Sequence, residues 1–236
     1  MKKTLLCAIL LGGVSALFAK PFTPQTPIAA ITIMANNEIS WEGETAKSGG
    51  LLKVMSNIDA EENDDDDTLI LKGLTKPYLN DAVKAVYEVF SEEGIELIDE
   101  ATVLNADSYV NAEDNKMYKM ALYRTVDGYK LIGPKDNSIK NIVSEVGASS
   151  AVIVNLNIQK TMVKGIGKNG TMTAFVTANI DFCDATGKPV KTVNGFAKGS
   201  EAIEVKLDKY DAVALAAMYP DVIREAIKAA LAKTKK

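Results

Sequence analysis

Two stretches of alternation dominate the chain. From Ala151 to Gln159, apolar Val152, Val154, Leu156 and Ile158 alternate with Ile153, Asn155, Asn157 and Gln159. From Thr171 to Phe182, Met172, Ala174, Val176, Ala178, Ile180 and Phe182 alternate with Thr171, Thr173, Phe175, Thr177, Asn179 and Asp181. Successive side chains of a strand point to opposite faces, so each segment predicts a long strand with one apolar and one mostly polar face. Such strands pair antiparallel over a core. Asp184-Ala185-Thr186-Gly187 reads as a turn, and Pro189 to Ala197 as the third strand of a meander. The apolar face needs a second layer, which helices can supply.

The helical pattern is clearest in three places. Thr75-Lys76-Pro77 opens a helix with Thr75 as N-cap; Val83, Val86, Tyr87 and Phe90 share one face, and Gly94 follows as a C′ residue. Ser138 caps a second helix, in which Ile139, Ile142, Val143 and Val146 form a stripe that Gly147 ends. The third runs from about Asp208 to Lys233, with a break expected at Tyr219-Pro220 and a stripe of Val222, Ile223, Ala226, Ile227, Ala230 and Leu231 beyond it. Its polar face mixes signs at Asp221, Arg224, Glu225 and Lys228, which favours packing on a core over lying on a membrane. Ile28 to Met34 predicts a buried strand; Leu51 to Met55, Leu69 to Leu71 and Ile95 to Ile98 predict short ones. Within 101–130, Tyr109, Met117, Tyr118, Leu122 and Tyr123 point to a helix, with Asp127-Gly128 as a turn. The fold class expected is α/β: a mixed sheet with a C-terminal antiparallel meander and helices packed on one face.

The ends of the chain add a compartment. Met1-Lys2-Lys3, an apolar run from Leu5 to Phe18 and then Ala19-Lys20-Pro21 describe a secretory signal peptide over residues 1–19, cleaved after Ala19 or after Ala16. The run is shorter than the ~20 residues that span a bilayer. Cys7 lies too early in it to be a lipid-anchor cysteine. Residues 20–236 then form a single α/β domain, in which 20–74 is an irregular, strand-containing lead-in with an acidic loop at 61–67. Losing Lys2 and Lys3 takes the formal charge from −4 to −6 and leaves Cys183 as the one cysteine, so no internal disulfide forms. The destination is the periplasm or the cell surface, and no transmembrane span is expected in the mature chain.

Composition narrows the chemistry. With no histidine, the chain runs no Ser-His-Asp or Cys-His nucleophile and lacks the commonest zinc ligand. Its negative charge gives no basic surface for nucleic acid. Cys183, between Asp181 and Asp184, reads as a core residue rather than a nucleophile, because neighbouring carboxylates raise a thiol pKa. Gly165-Ile166-Gly167-Lys168-Asn169-Gly170 matches G-x-G-x-x-G, yet both flanks read as strand, so no helix N-terminus meets the loop. It reads as a hairpin tip whose Lys164 and Lys168 could touch an anionic partner. Glu61 to Asp67 lacks the alternate spacing and glycine of a calcium loop and reads as a solvated acidic run. Tyr118, Tyr123 and Tyr129 read as packing residues. No catalytic, cofactor or metal residue is assigned.

The run Val146-Gly147-Ala148-Ser149-Ser150-Ala151-Val152-Ile153-Val154 resembles the helix, Gly-Ala, buried-strand step of the curli-assembly lipoprotein and of the TolB amino-terminal domain. Ala178 to Pro189, with Asp184-Ala185-Thr186-Gly187, is similar to their strand that ends in an aspartate-x-threonine-glycine turn. The resemblance covers roughly residues 75–233, taken on the order of elements. It implies an exported mixed-sheet domain that assembles, activates or tethers envelope machinery, usually without catalysis. The chain departs in lacking a lipid-anchor cysteine and in carrying the acidic loop, and both departures argue against pore formation. The function expected is therefore non-enzymatic: a binding or assembly protein that docks to a protein partner in the cell envelope. Docking would use the polar sheet face, the 165–170 tip or the Asn36 to Gly50 loop; a homo-oligomer stays open. The alternatives are a periplasmic small-ligand or lipid carrier and a hydrolase working through carboxylates.

Overall fold

A computed structural model describes residues 21–44 and 63–235. The expected leader, Cys7, the 51–55 strand and Glu61-Glu62 lie outside the described residues. Among those described, the strands form one curled mixed sheet of eight. Its spine is the pair β4 (Ser150–Ile166) and β5 (Asn169–Asp184), antiparallel along their whole length and in the register the alternation demands: Val152 faces Phe182, Val154 faces Ile180, and Ile158 faces Val176. On the far side of β5 lie β6 (Pro189–Lys198), against residues 175–183, and β7 (Ile203–Lys206), against 169–172. On the far side of β4 run β1 (Ile28–Ala35) and β2 (Ser40–Trp41), both parallel to it. Two short strands close the outside: β3 (Arg124–Thr125) on β1 and β8 (Lys209–Tyr210) on β7. The buried run of β1 has no alternation because it is covered on both faces, as interior parallel strands are.

Two long helices pack on one face, as expected. They are α2 (Leu79–Glu92) and α8 (Tyr219–Leu231), whose Val86, Val89, Phe90, Val222, Ile223, Ala226 and Ile227 meet the even-numbered residues of β4 and β5. Gly195 of β6 lets α8 approach at backbone distance: a Cβ there would lie 2.2 Å from Ala230 N and 2.5 Å from Ala226 O. Arg224 joins Glu88 and Glu92 across the two helices on the outside.

The opposite face is not wholly wet. One end of it carries a second, smaller core, in which Ala29, Ile31, Met34, Ala151, Ile153 and Cys183 are covered by α3 (Glu100–Leu104), α4 (Asp107–Val110) and α6 (Ser138–Glu145). Tyr109 reaches through it, its hydroxyl donating to Ile31 O at 2.8 Å and accepting from Lys130 N at 2.7 Å. Farther along that face Gln159, Thr161, Thr173 and Phe175 are buried again, and between the two covered ends runs a half-exposed row of paired amides, Asn155 beside Asn179 beside Asn194.

Several local expectations need correction. Leu69 to Leu71 is no strand; it ends α1 (Asp66–Leu71), which Asp65 caps by accepting from Thr68 N at 2.8 Å. The described part of the acidic run is therefore a helix start, where negative charge suits the dipole. Thr75 does not cap its helix. Its hydroxyl turns to the carbonyls of Asn36 and Asn37, and a 3₁₀ turn at Lys76–Tyr78 precedes α2. Ile95 to Ile98 makes a single parallel bridge, Leu97 to Ile28, rather than a strand. The 101–130 segment holds three short helices, the third being α5 (Lys116–Met120), instead of one. Asp136, not Ser138, anchors the start of α6, accepting from Ser138 N at 2.9 Å and from its hydroxyl at 2.7 Å. The C-terminal helix does not begin at Asp208: β7 and β8 occupy 203–210, α7 (Ala212–Ala216) follows, and Pro220 lies in the first turn of α8.

Candidate functional site

Beyond the end of β6, the β4–β5 hairpin is flanked by β2 on one side and the β7–β8 hairpin on the other. The two hairpin ends form one tip. Its geometry explains the glycine pattern: Gly165 and Gly170 stand opposite each other at the neck, and a Cβ on either would lie 2.0 Å from a backbone oxygen of the facing strand. The motif is thus met by close strand approach, with strand on both flanks. The second turn is Leu207-Asp208, both left-handed, at φ +52° and +64°. It is tied to the first by Leu207 N to Asn169 Oδ1 at 2.9 Å and Asp208 N to Lys168 O at 3.3 Å.

Trp41 braces this tip from inside. Its indole Nε1 donates to Asp208 Oδ1 at 3.0 Å, and Lys168 Nζ donates to Asp208 Oδ2 at 2.9 Å. Lys160, almost wholly buried, stands 5.2 Å from the Trp41 ring and 4.3 Å from the Tyr210 ring, and donates to the Tyr210 hydroxyl at 2.9 Å. A desolvated ammonium between two aromatic faces is attracted by both ring quadrupoles. Partial burial pushes the Asp208 carboxyl up; hydrogen bonds from Lys168 and Trp41, with the charges of Lys160 and Lys168, outweigh it and hold the group below the usual aspartate range. The hydrogen bond to Asp208 raises Lys168 in turn.

The outside of the tip is apolar at its extremities. Ile166 is 90% exposed and Leu207 74%, with Val163 exposed behind them. Lys164, Lys206 and Lys209 surround them and, among the described residues, form no ion pair. The acids nearby include Glu44, Glu204 and Asp208, with Glu42 on Thr161 and Asp211 after Tyr210 nearer the base.

Other residues singled out by sequence lie elsewhere. Cys183 is fully buried at the opposite end of β5, and burial, then Asp181 and Asp184, push its thiol up to about 12. Tyr118 and Tyr123 pack edge to face with centroids 5.5 Å apart, and Tyr129 is buried in the main core. Among the described residues no group of acids and cysteine is arranged to hold a metal ion. The structure brings together the 165–170 tip and Trp41 of the 36–50 loop, which sequence had offered as separate surfaces. Lys160 had given no signal, and Asp208 and Tyr210 had read as the start of the C-terminal helix. No family model, no curated protein and no solved structure matches the chain.

Proposed function

We propose that this is an exported, non-catalytic binding protein of the cell envelope that docks on another envelope component through the two-hairpin tip. The observation that carries the reading is the pairing of a braced interior with apolar extremities: Trp41, Lys160, Asp208 and Tyr210 fix two turns whose outermost side chains, Ile166 and Leu207, are bare. Large apolar side chains are exposed elsewhere too, at Met117, Met120 and Leu71, but here two of them stand on adjoining turns that are held in place, and a preformed contact surface loses less entropy on binding. The leader pattern of residues 1–19 supports the compartment. The open amide row of Asn155, Asn179 and Asn194 is a weaker rival surface, since nothing apolar anchors its centre.

The test is co-sedimentation of the leaderless chain with isolated envelope membranes, their proteins included. A chain with 165–170 replaced by a two-residue turn loses the ties of this turn to Leu207 and Asp208, so it should unfold at a somewhat lower temperature yet keep its native circular dichroism, and it should stay in the supernatant; equal sedimentation of the two removes the tip from the account. Fractionation with N-terminal sequencing of the mature chain tests export, and an intact leader on cytosolic protein overturns it.

A further inference from the structure

We propose that the tip's partner is an anionic lipid surface, with Ile166 and Leu207 entering the headgroup layer and Lys164, Lys206 and Lys209 meeting lipid phosphates. This rests on the docking reading above and names its partner. Three features of the β7–β8 hairpin are unfavourable to it, and the last two depend on its standing in water. First, two successive left-handed residues make a turn that Asn-Gly fills at least cost, yet Leu207 occupies the first position. Second, that leucine is turned to solvent. Third, Lys206 and Lys209 stand directly opposite each other across the hairpin, where like charges repel. An interfacial lipid layer relieves the last two at once: it takes the leucine out of water and sets anions against the paired ammonium groups.

Shape decides between lipid and an acidic protein. A specific protein interface needs about 800 Å² from each partner, fairly flat and well packed. Two adjoining turns offer only Ile166 and Leu207, with Val163 behind them, which suits shallow entry into a deformable headgroup layer. Charge orients the approach. The chain as a whole carries −4, while the tip holds Lys164, Lys168, Lys206 and Lys209 against Glu44, Glu204 and Asp208, the last ion-paired with Lys168 and hydrogen-bonded by Trp41. What an anionic surface meets first is therefore Lys164, Lys206 and Lys209 at the extremity, with Glu42 and Asp211 set back at the base of the hairpins.

The experiment is flotation of the leaderless chain with protein-free vesicles, of phosphatidylcholine alone or with phosphatidylglycerol, beside the native envelope membranes used above. Two variants separate binding from folding. Leu207→Asn places a favoured residue in the left-handed turn, and Lys209→Glu turns a repelling cross-strand pair into an attracting one, so both should hold or raise the unfolding temperature. Each should nonetheless lower partitioning to anionic vesicles about tenfold, and added salt should weaken the parent chain. Equal binding to neutral and anionic vesicles, or variants that bind like the parent, overturns the lipid assignment. Binding to native membranes without binding to anionic vesicles also overturns it and leaves docking on a protein intact. Failure on both overturns the docking reading itself.

Discussion

Gly195→Ala isolates the contact that holds the helical layer to the sheet. The glycine sits in β6 with its α-carbon against the backbone of α8, and its own backbone is in a region open to any residue. The substitution therefore acts by collision alone. The added Cβ would lie 2.2 Å from Ala230 N, 2.5 Å from Ala226 O and 2.7 Å from Ala229 C. These are backbone atoms, so no side chain can swing aside. Restoring an ordinary contact of 3.4 Å requires α8 to retreat about 1.2 Å from the strand. That movement loosens Val222, Ile223, Ala226 and Ile227 against β5 and β6, and a gap of 0.5–1 Å forfeits roughly a quarter to a half of each contact's attraction. Overpacking typically costs about 1–3 kcal/mol, and a backbone collision belongs at the upper end. With about 2–4 °C lost per kcal/mol in a chain of this size, the unfolding temperature should fall by roughly 6–12 °C. Thermal and urea unfolding followed by circular dichroism read this directly. A loss below about 0.5 kcal/mol, the scatter of neutral surface changes, would refute the packing.

Three further outcomes follow from single groups. The Asp208 carboxyl is held low, so its contribution to the tip is complete above the unfolded pKa of about 3.9 and is lost as pH falls through the lower folded value. Trp41 emission should accordingly change with a midpoint below that value, and Asp208→Asn should abolish the step; a midpoint at or above it contradicts the bracing. Tyr109→Phe removes an acceptor from Lys130 N–H and a donor to Ile31 O inside the second core, and should cost about 1–3 kcal/mol in urea unfolding. Cys183, buried with its thiol pushed up to about 12, should react with thiol reagents at neutral pH only as fast as the chain opens; fast labelling of native protein would place the residue wrongly.

The long strands were legible because their period is unambiguous over many residues: one slip in Val152 to Ile158 would turn every apolar side chain to the other face. Helices α2 and α8 were legible through their stripes. What failed was short or tertiary. Three apolar residues at Leu69 to Leu71 look alike in a helix or a strand, and the capping signal at Asp65 sat within an acidic run that masked it. Helices of four and five residues at 100–120 are too brief for a period to appear. The β7–β8 hairpin was hidden because Leu207-Asp208 lacks the glycine or asparagine that announces such a turn. Trp41 and the 165–170 motif each stood out, but the bond between Trp41 and Asp208 spans 167 positions, and only the parallel pairing of β2 on β4 brings those ends together.

The most direct test of the proposed docking through the tip is site-specific shielding on native envelope membranes. An environment-sensitive fluorophore on Leu207→Cys should shift to shorter wavelength and resist aqueous quenchers on binding, while the same probe on Lys228→Cys, on the exposed side of α8, should not respond. Shielding at position 228 with position 207 still open to quencher would put the contact on the helical face and contradict the account.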